Sequence, residues 1–139
     1  MLLSAIVLQT FLVIAFYYDV RYQIIPNKLN LMAMISGFVI SISYKQWTGM
    51  QFSLYGLLIG FGLTLLLYFW RAIAAGDVKC FAAAGSFLGA EQNSILLLLS
   101  IFVAGIIALI VWLKKRSIKG MTMPFMFAML PASIYVIWM

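Results

Sequence analysis

G-D-V-K-C-F-A-A-A-G-S-F-L-G-A, residues 76–90, is the stretch on which the topology turns. Its apolar part, residues 78–90, is only about thirteen residues long and rich in Ala and Gly, whereas a helix needs roughly 20 apolar residues to cross a bilayer. Charge decides the matter. If the stretch crosses, Arg21, Lys28, Arg71, Lys79, Lys114, Lys115, Arg116 and Lys119 all fall on one side and Lys45 stands alone on the other. If it does not, the K-K-R-S-I-K loop changes sides and the basic residues divide almost evenly, against the positive-inside tendency. The stretch is therefore expected to cross.

Working outward, apolar runs at residues 2–18, 29–44, 52–70, 95–113 and 123–138 supply five further spans. The expectation is an all-α membrane protein: a polytopic bundle of six transmembrane helices, both termini outside, the basic loops in the cytoplasm. Composition agrees, with 66% hydrophobic and 9% charged residues and a mean hydropathy of +1.14, more apolar surface than a soluble core of this size hides. No polar stretch is long enough for a linker, so residues 1–139 read as a single domain. Pro26 and Asn27 are good starters for the second helix, Gly56 and Gly60 form a small-xxx-small face, and Pro131 is placed to kink the last span. The first span, with no basic segment before it and no small-residue cleavage site ahead of Asp19, is expected to be retained.

The net charge of +6 is spread over short loops at membrane level. It reads as orientation in the bilayer and contact with lipid headgroups, not as a nucleic-acid surface. With no histidine and one cysteine, Cys80, the usual N/S zinc site and an internal disulfide are excluded, and Cys80 reads as a small packing residue. No cofactor is expected.

Three residues are acidic. Glu91 falls in an outer loop and reads as solvated. Asp19 and Asp77 stand at the end of span one and the start of span four, on the same side, where a carboxylate is costly enough to ask for a function. Two carboxylates around one water divide the labour: one stays protonated while the other ionises, an acid and a base. The base activates water and the acid polarises a carbonyl, which is aspartyl proteolysis. Asp77 alone reads equally well as a helix N-cap; Asp19, at a helix C-terminus, does not.

The segments D-V-R-Y-Q-I-I-P-N-K-L-N, residues 19–30, and A-A-G-D-V-K, residues 74–79, resemble the type IV prepilin peptidase family, intramembrane aspartic peptidases with a G-x-G-D element. M-P-F, residues 123–125, looks like a segment found late in many members. The resemblance implies that Asp19 and Asp77 are the catalytic pair, with Gly76, Lys79, Pro26 and Asn27 in support. Gly76 would permit close backbone approach, Lys79 would steady Asp77 or anchor the headgroup level, and Pro26 and Asn27 would start span two. It implies a membrane-embedded aspartic endopeptidase of the cytoplasmic (inner) membrane that cuts the basic leader from a prepilin or pseudopilin of a type IV pilus. Ala74 replaces the first glycine of the element, a departure costly only if that position needs a positive φ. The cysteine-bearing segment of larger members is absent, so the chain is similar to the small, peptidase-only branch of tight-adherence pili and no methyltransferase activity is implied. The competing readings are a small ion-coupled transporter, disfavoured because every charge lies at a span edge, and a non-catalytic pilus or secretion assembly subunit.

Overall fold

In the computed structural model, residues 2–115 and 125–139 are described. They form four helices: α1 (Leu2–Tyr22), α2 (Asn27–Phe69), α3 (Ala75–Lys115) and α4 (Met126–Trp138). The first three are long and apolar enough to cross a membrane. No strand forms among the described residues.

α2 and α3, at 43 and 41 residues, would run about 60 Å if straight, twice the thickness of a bilayer core. Neither is straight. Gln46 (φ 50°, ψ −126°) interrupts α2 and Gly89 (φ 76°, ψ −179°) interrupts α3, dividing each into two arms. The Asn93 amide donates to the Phe81 carbonyl at 3.2 Å, although twelve residues of straight helix would separate them by about 18 Å. A Cβ on Gly49 would likewise strike the Ser41 carbonyl. Both helices therefore fold back as hairpins.

The arms interlock around 75–88. Arm 27–45 runs parallel to it, with Asn27 beside Lys79, Asn30 beside Cys80 and Gly37 against Ser86. Arm 47–69 runs antiparallel, with Gly60 against Phe81 and Gly56 against Gly85 and Gly89. The contact expected of Gly56 and Gly60 is thus made, and at Gly56 it is backbone to backbone: a Cβ there would collide with the Gly85 carbonyl. Polar groups lock the seam. Ser53 donates to the Ser86 carbonyl at 2.7 Å, and Asn93 reaches both Gly56 and Phe81.

This arrangement accounts for the composition of residues 78–90. Every residue from Cys80 to Gly89 is buried, so the arm needs small side chains that let neighbours close in, not long ones that face lipid. α1 packs antiparallel to α4, through Gln9 to Ser133 at 3.2 Å and an edge-to-face contact of Phe16 with Phe127 at 4.7 Å. Leu8, Leu12, Phe81, Leu96, Met126, Met129 and Val136 form the fully buried centre. Pro131 is accommodated inside α4.

Two boundaries differ from expectation. The outer loops expected around Lys45 and Glu91 are single-residue reversals, and Glu91 is exposed in the first turn of the helix after Gly89. α1 also continues past residue 18, so Asp19 lies within its last helical turn.

Candidate active site

α1 stops abruptly after Tyr22 because Gln23 takes a left-handed φ of 54° while its N–H closes on the Asp19 carbonyl at 3.0 Å. Ile24, Ile25 and Pro26 then run without helical structure. Pro26 (φ −61°, ψ 132°) is the N-cap residue of α2, its carbonyl accepting the Leu29 and Asn30 N–H groups. It starts the helix as expected, from one position earlier than the usual N1 proline.

At the head of α3 the Ala74 carbonyl accepts from the N–H groups of Asp77 and Val78, which makes Ala74 the N-cap and Asp77 the third helical residue. The Asp77 carboxylate reaches back to the Ala74 N–H at 3.3 Å, the returning half of a capping box. Asp77 is therefore a capping residue, though not the N-cap itself. Its side chain is only 5% exposed. Ala74 is absent from the residues of positive φ, so the alanine in place of the first glycine introduces no backbone strain there.

Asp19 is half-buried. Its place at the C-terminus of α1 is unfavourable for a carboxylate, but the backbone at Met126, the start of α4, favours its charge, as a helix N-terminus attracts negative charge. Asp19 Oδ2 is buried with no hydrogen-bond partner.

Both carboxylates open into one pocket of about 330 Å³, and the charge of Asp19 is felt at Asp77. Gly76, Asn27 and Lys79 also line this pocket; Pro26 does not. Lys79 donates to Asn27 Oδ1 at 2.6 Å. That bond clamps the first motif segment to the second. Gly76 faces the Ile25 side chain, where an added Cβ would lie at an ordinary 3.6 Å, so the protein's own packing does not demand glycine there. Of the M-P-F segment, residues 123 and 124 lie outside the described residues; Phe125 packs its ring on Phe81 at 5.9 Å.

Sequence reasoning did not single out Gln23, Ile24 and Ile25, which line the pocket, and noted Ala74, which also lines it, only as the replacement of a glycine. The signal of the first three was position alone: they fill the gap between Asp19 and Pro26. Nor did it single out Asn30, one turn beyond Asn27 and 2% exposed, which receives the Cys80 thiol at 3.4 Å on Oδ1. Cys80 is fully buried, as a packing residue should be. A second cleft of about 370 Å³, between Tyr68, Phe69, Arg71 and Ile73, holds no carboxylate. Among the described residues no cluster of three His, Cys, Asp or Glu side chains could hold a metal.

Two carboxylates from helices far apart in sequence, facing one cavity, can hold a water and a carbonyl between an acid and a base. No curated protein and no solved structure matched the chain. The model of the type IV leader peptidase family matches residues 6–109, a segment that carries both aspartates and every residue of the pocket. The chain belongs to the type IV leader peptidase family.

Proposed function

We propose that residues 1–139 form one transmembrane peptidase domain, an aspartic endopeptidase that removes the basic leader of a prepilin-like substrate at the cytoplasmic face of the inner membrane. Asp19 and Asp77 are the catalytic pair. The observation that carries this reading is their convergence: the end of α1 and the head of α3 contribute one carboxylate each to a single pocket. One ionised carboxylate takes a proton from the attacking water, and the protonated partner polarises the scissile carbonyl and then serves the leaving amine. No step calls on a cofactor.

The family supports a prepilin-like substrate, and the geometry suits one. Hairpins at Gln46 and Gly89 divide α2 and α3 into three arms of membrane-spanning scale and the shorter, enclosed arm 75–88, consistent with six crossings, an inner-membrane multi-pass arrangement and termini outside. Arg21, Lys28, Arg71, Lys79 and Lys114 then lie at the end of the bundle that carries the aspartates, and Lys45 at the other, in accord with a cytoplasmic location. An apolar substrate helix would dock against the bundle while its leader unwinds at the interface. Gly76 would leave room for the substrate backbone, and the Lys79–Asn27 clamp would keep the two motif segments in register.

The test is co-expression of a prepilin with the wild type, Asp19→Asn or Asp77→Asn, read as a mobility shift on a gel. Loss of the shift in both variants at normal membrane levels is expected. A shift that survives in either variant contradicts the assignment.

A further inference from the structure

Behind the two aspartates lies a polar pair that the peptidase chemistry above leaves unused. Asn30, on the first turn of α2, is 2% exposed, and Cys80, on the first turns of α3, is fully buried. The thiol donates to Asn30 Oδ1 at 3.4 Å. A thiol has one proton to give, so this bond fixes which end of the carboxamide faces it and turns the Nδ2 amino group away. That Nδ2 is buried and has no partner among the described residues.

An unpaired buried donor costs about 1–3 kcal/mol, and a leucine of similar size would avoid the cost. The place of Asn30 gives a reason to keep it. Its thiol partner lies within electrostatic reach of both Asp77 and Asp19. Asn27, one turn earlier on the same helix, lines the aspartate pocket. Of the three buried side-chain atoms without a partner among the described residues, two are at this end of the bundle: the donor Asn30 Nδ2 and the acceptor Asp19 Oδ2. The third, Asn93 Oδ1, belongs to the hairpin seam beside Gly56. A lone buried donor and a lone buried acceptor at the same end of the bundle are complementary.

We propose that Asn30 is a positioning residue of the aspartate site: its Nδ2 group, oriented by the Cys80 thiol, donates a hydrogen bond through one water to the carboxylate pair, holding Asp19 in its ionised, water-activating form. Cys80 from α3 contacts Asn30 directly, and the charged groups of the neighbouring pocket are Asp19 from α1 and Asp77 and Lys79 from α3, Lys79 being engaged by Asn27. Asn30 acts through the carboxylate and does not touch the substrate. The inference rests on the peptidase reading of the site and adds to it the residue that sets the division of labour between the aspartates.

The experiment compares purified wild type, Asn30→Leu, Asn30→Thr, Cys80→Ala, Asp19→Asn and Asp77→Asn in detergent, with a synthetic leader-bearing peptide as substrate. Each is measured for kcat, KM and thermal midpoint. Asn30→Leu is expected to melt no lower than the wild type, to lose at least about tenfold in kcat, and to keep KM within about twofold. Asn30→Thr, which retains a donor, should recover part of that loss, and Cys80→Ala should lose less than Asn30→Leu. Unchanged kcat in Asn30→Leu, with the aspartate variants inactive, overturns the role of Asn30 and leaves the peptidase reading standing. Cleavage that persists in Asp19→Asn and Asp77→Asn overturns both. If Asn30→Leu melts lower or fails to fold, Asn30→Thr decides: a native midpoint with reduced kcat sustains the positioning role, and a lowered midpoint with wild-type kcat per folded molecule makes Asn30 structural and overturns it.

Discussion

Asp77 carries two duties in one side chain, since the oxygen that accepts the Ala74 N–H steadies the helix head and the same carboxylate faces the pocket. Asp77→Asn keeps an oxygen for that bond, so it is expected to lower the thermal midpoint little while reducing cleavage by at least about 100-fold; Asp77→Ala should lose both. A differential melt beside a cleavage assay separates the two duties. Gly76 gives a second prediction at this scale. Because a Cβ there would meet Ile25 at ordinary contact distance, and alanine is the better helix former by about 1 kcal/mol, Gly76→Ala should fold at least as well as the wild type. Its effect belongs on KM, which should rise as the methyl takes up substrate space. The sequence made Asp19, Asp77 and Asn27 legible through their local motifs, but not the bond from Lys79 to Asn27, which spans 52 residues of chain. The contact between Asp19 and the N-terminus of α4 was equally hidden, because it depends on where a distant helix begins.

The hairpins are where element-level physics is most exposed. Gly89 adopts φ 76° and ψ −179° and lies against the Phe52 ring, a backbone region essentially restricted to glycine. Gly89→Ala should therefore cost about 1–3 kcal/mol from the backbone alone, read as a fall in thermal midpoint in detergent. Gly56→Val is expected to be worse, since its Cβ would meet the Gly85 backbone and no rotamer change relieves that. Gly62 has nothing within 4 Å of its Cβ position, so Gly62→Ala at the same kind of residue in the same arm should be neutral or stabilising. Periodicity revealed the arms, because long apolar runs are a strong signal. It did not reveal the reversals: Gln46 and Gly89 are single residues inside helix-compatible sequence, and the polar segments around them read as loops. The seam partners Ser86 and Asn93 were likewise invisible, being polar residues whose burial is decided by the hairpin.

For the whole molecule, the account requires that Arg71 and Lys45 lie on opposite sides of the membrane. In a Cys80→Ala background, Arg71→Cys should react with an impermeant maleimide only after the cells are opened, and Lys45→Cys in intact cells; labelling of both from outside would remove the topology that brings the aspartates to the cytoplasm. Charge argues for that topology, because the short arm 75–88 has to cross for the basic residues to share a side. Why the arm is so short and rich in small residues was not legible: residues 80–89 are enclosed by the other arms. The proposed chemistry is the cutting of a peptide bond by the aspartates at one end of this bundle. Its most direct test is mass spectrometry of a synthetic prepilin segment incubated with purified wild type and with Asp19→Asn. One cut is expected, between the basic leader and the apolar helix, made by the wild type and lost in the variant. A cut that remains in Asp19→Asn, or an intact segment with folded wild type, would contradict it.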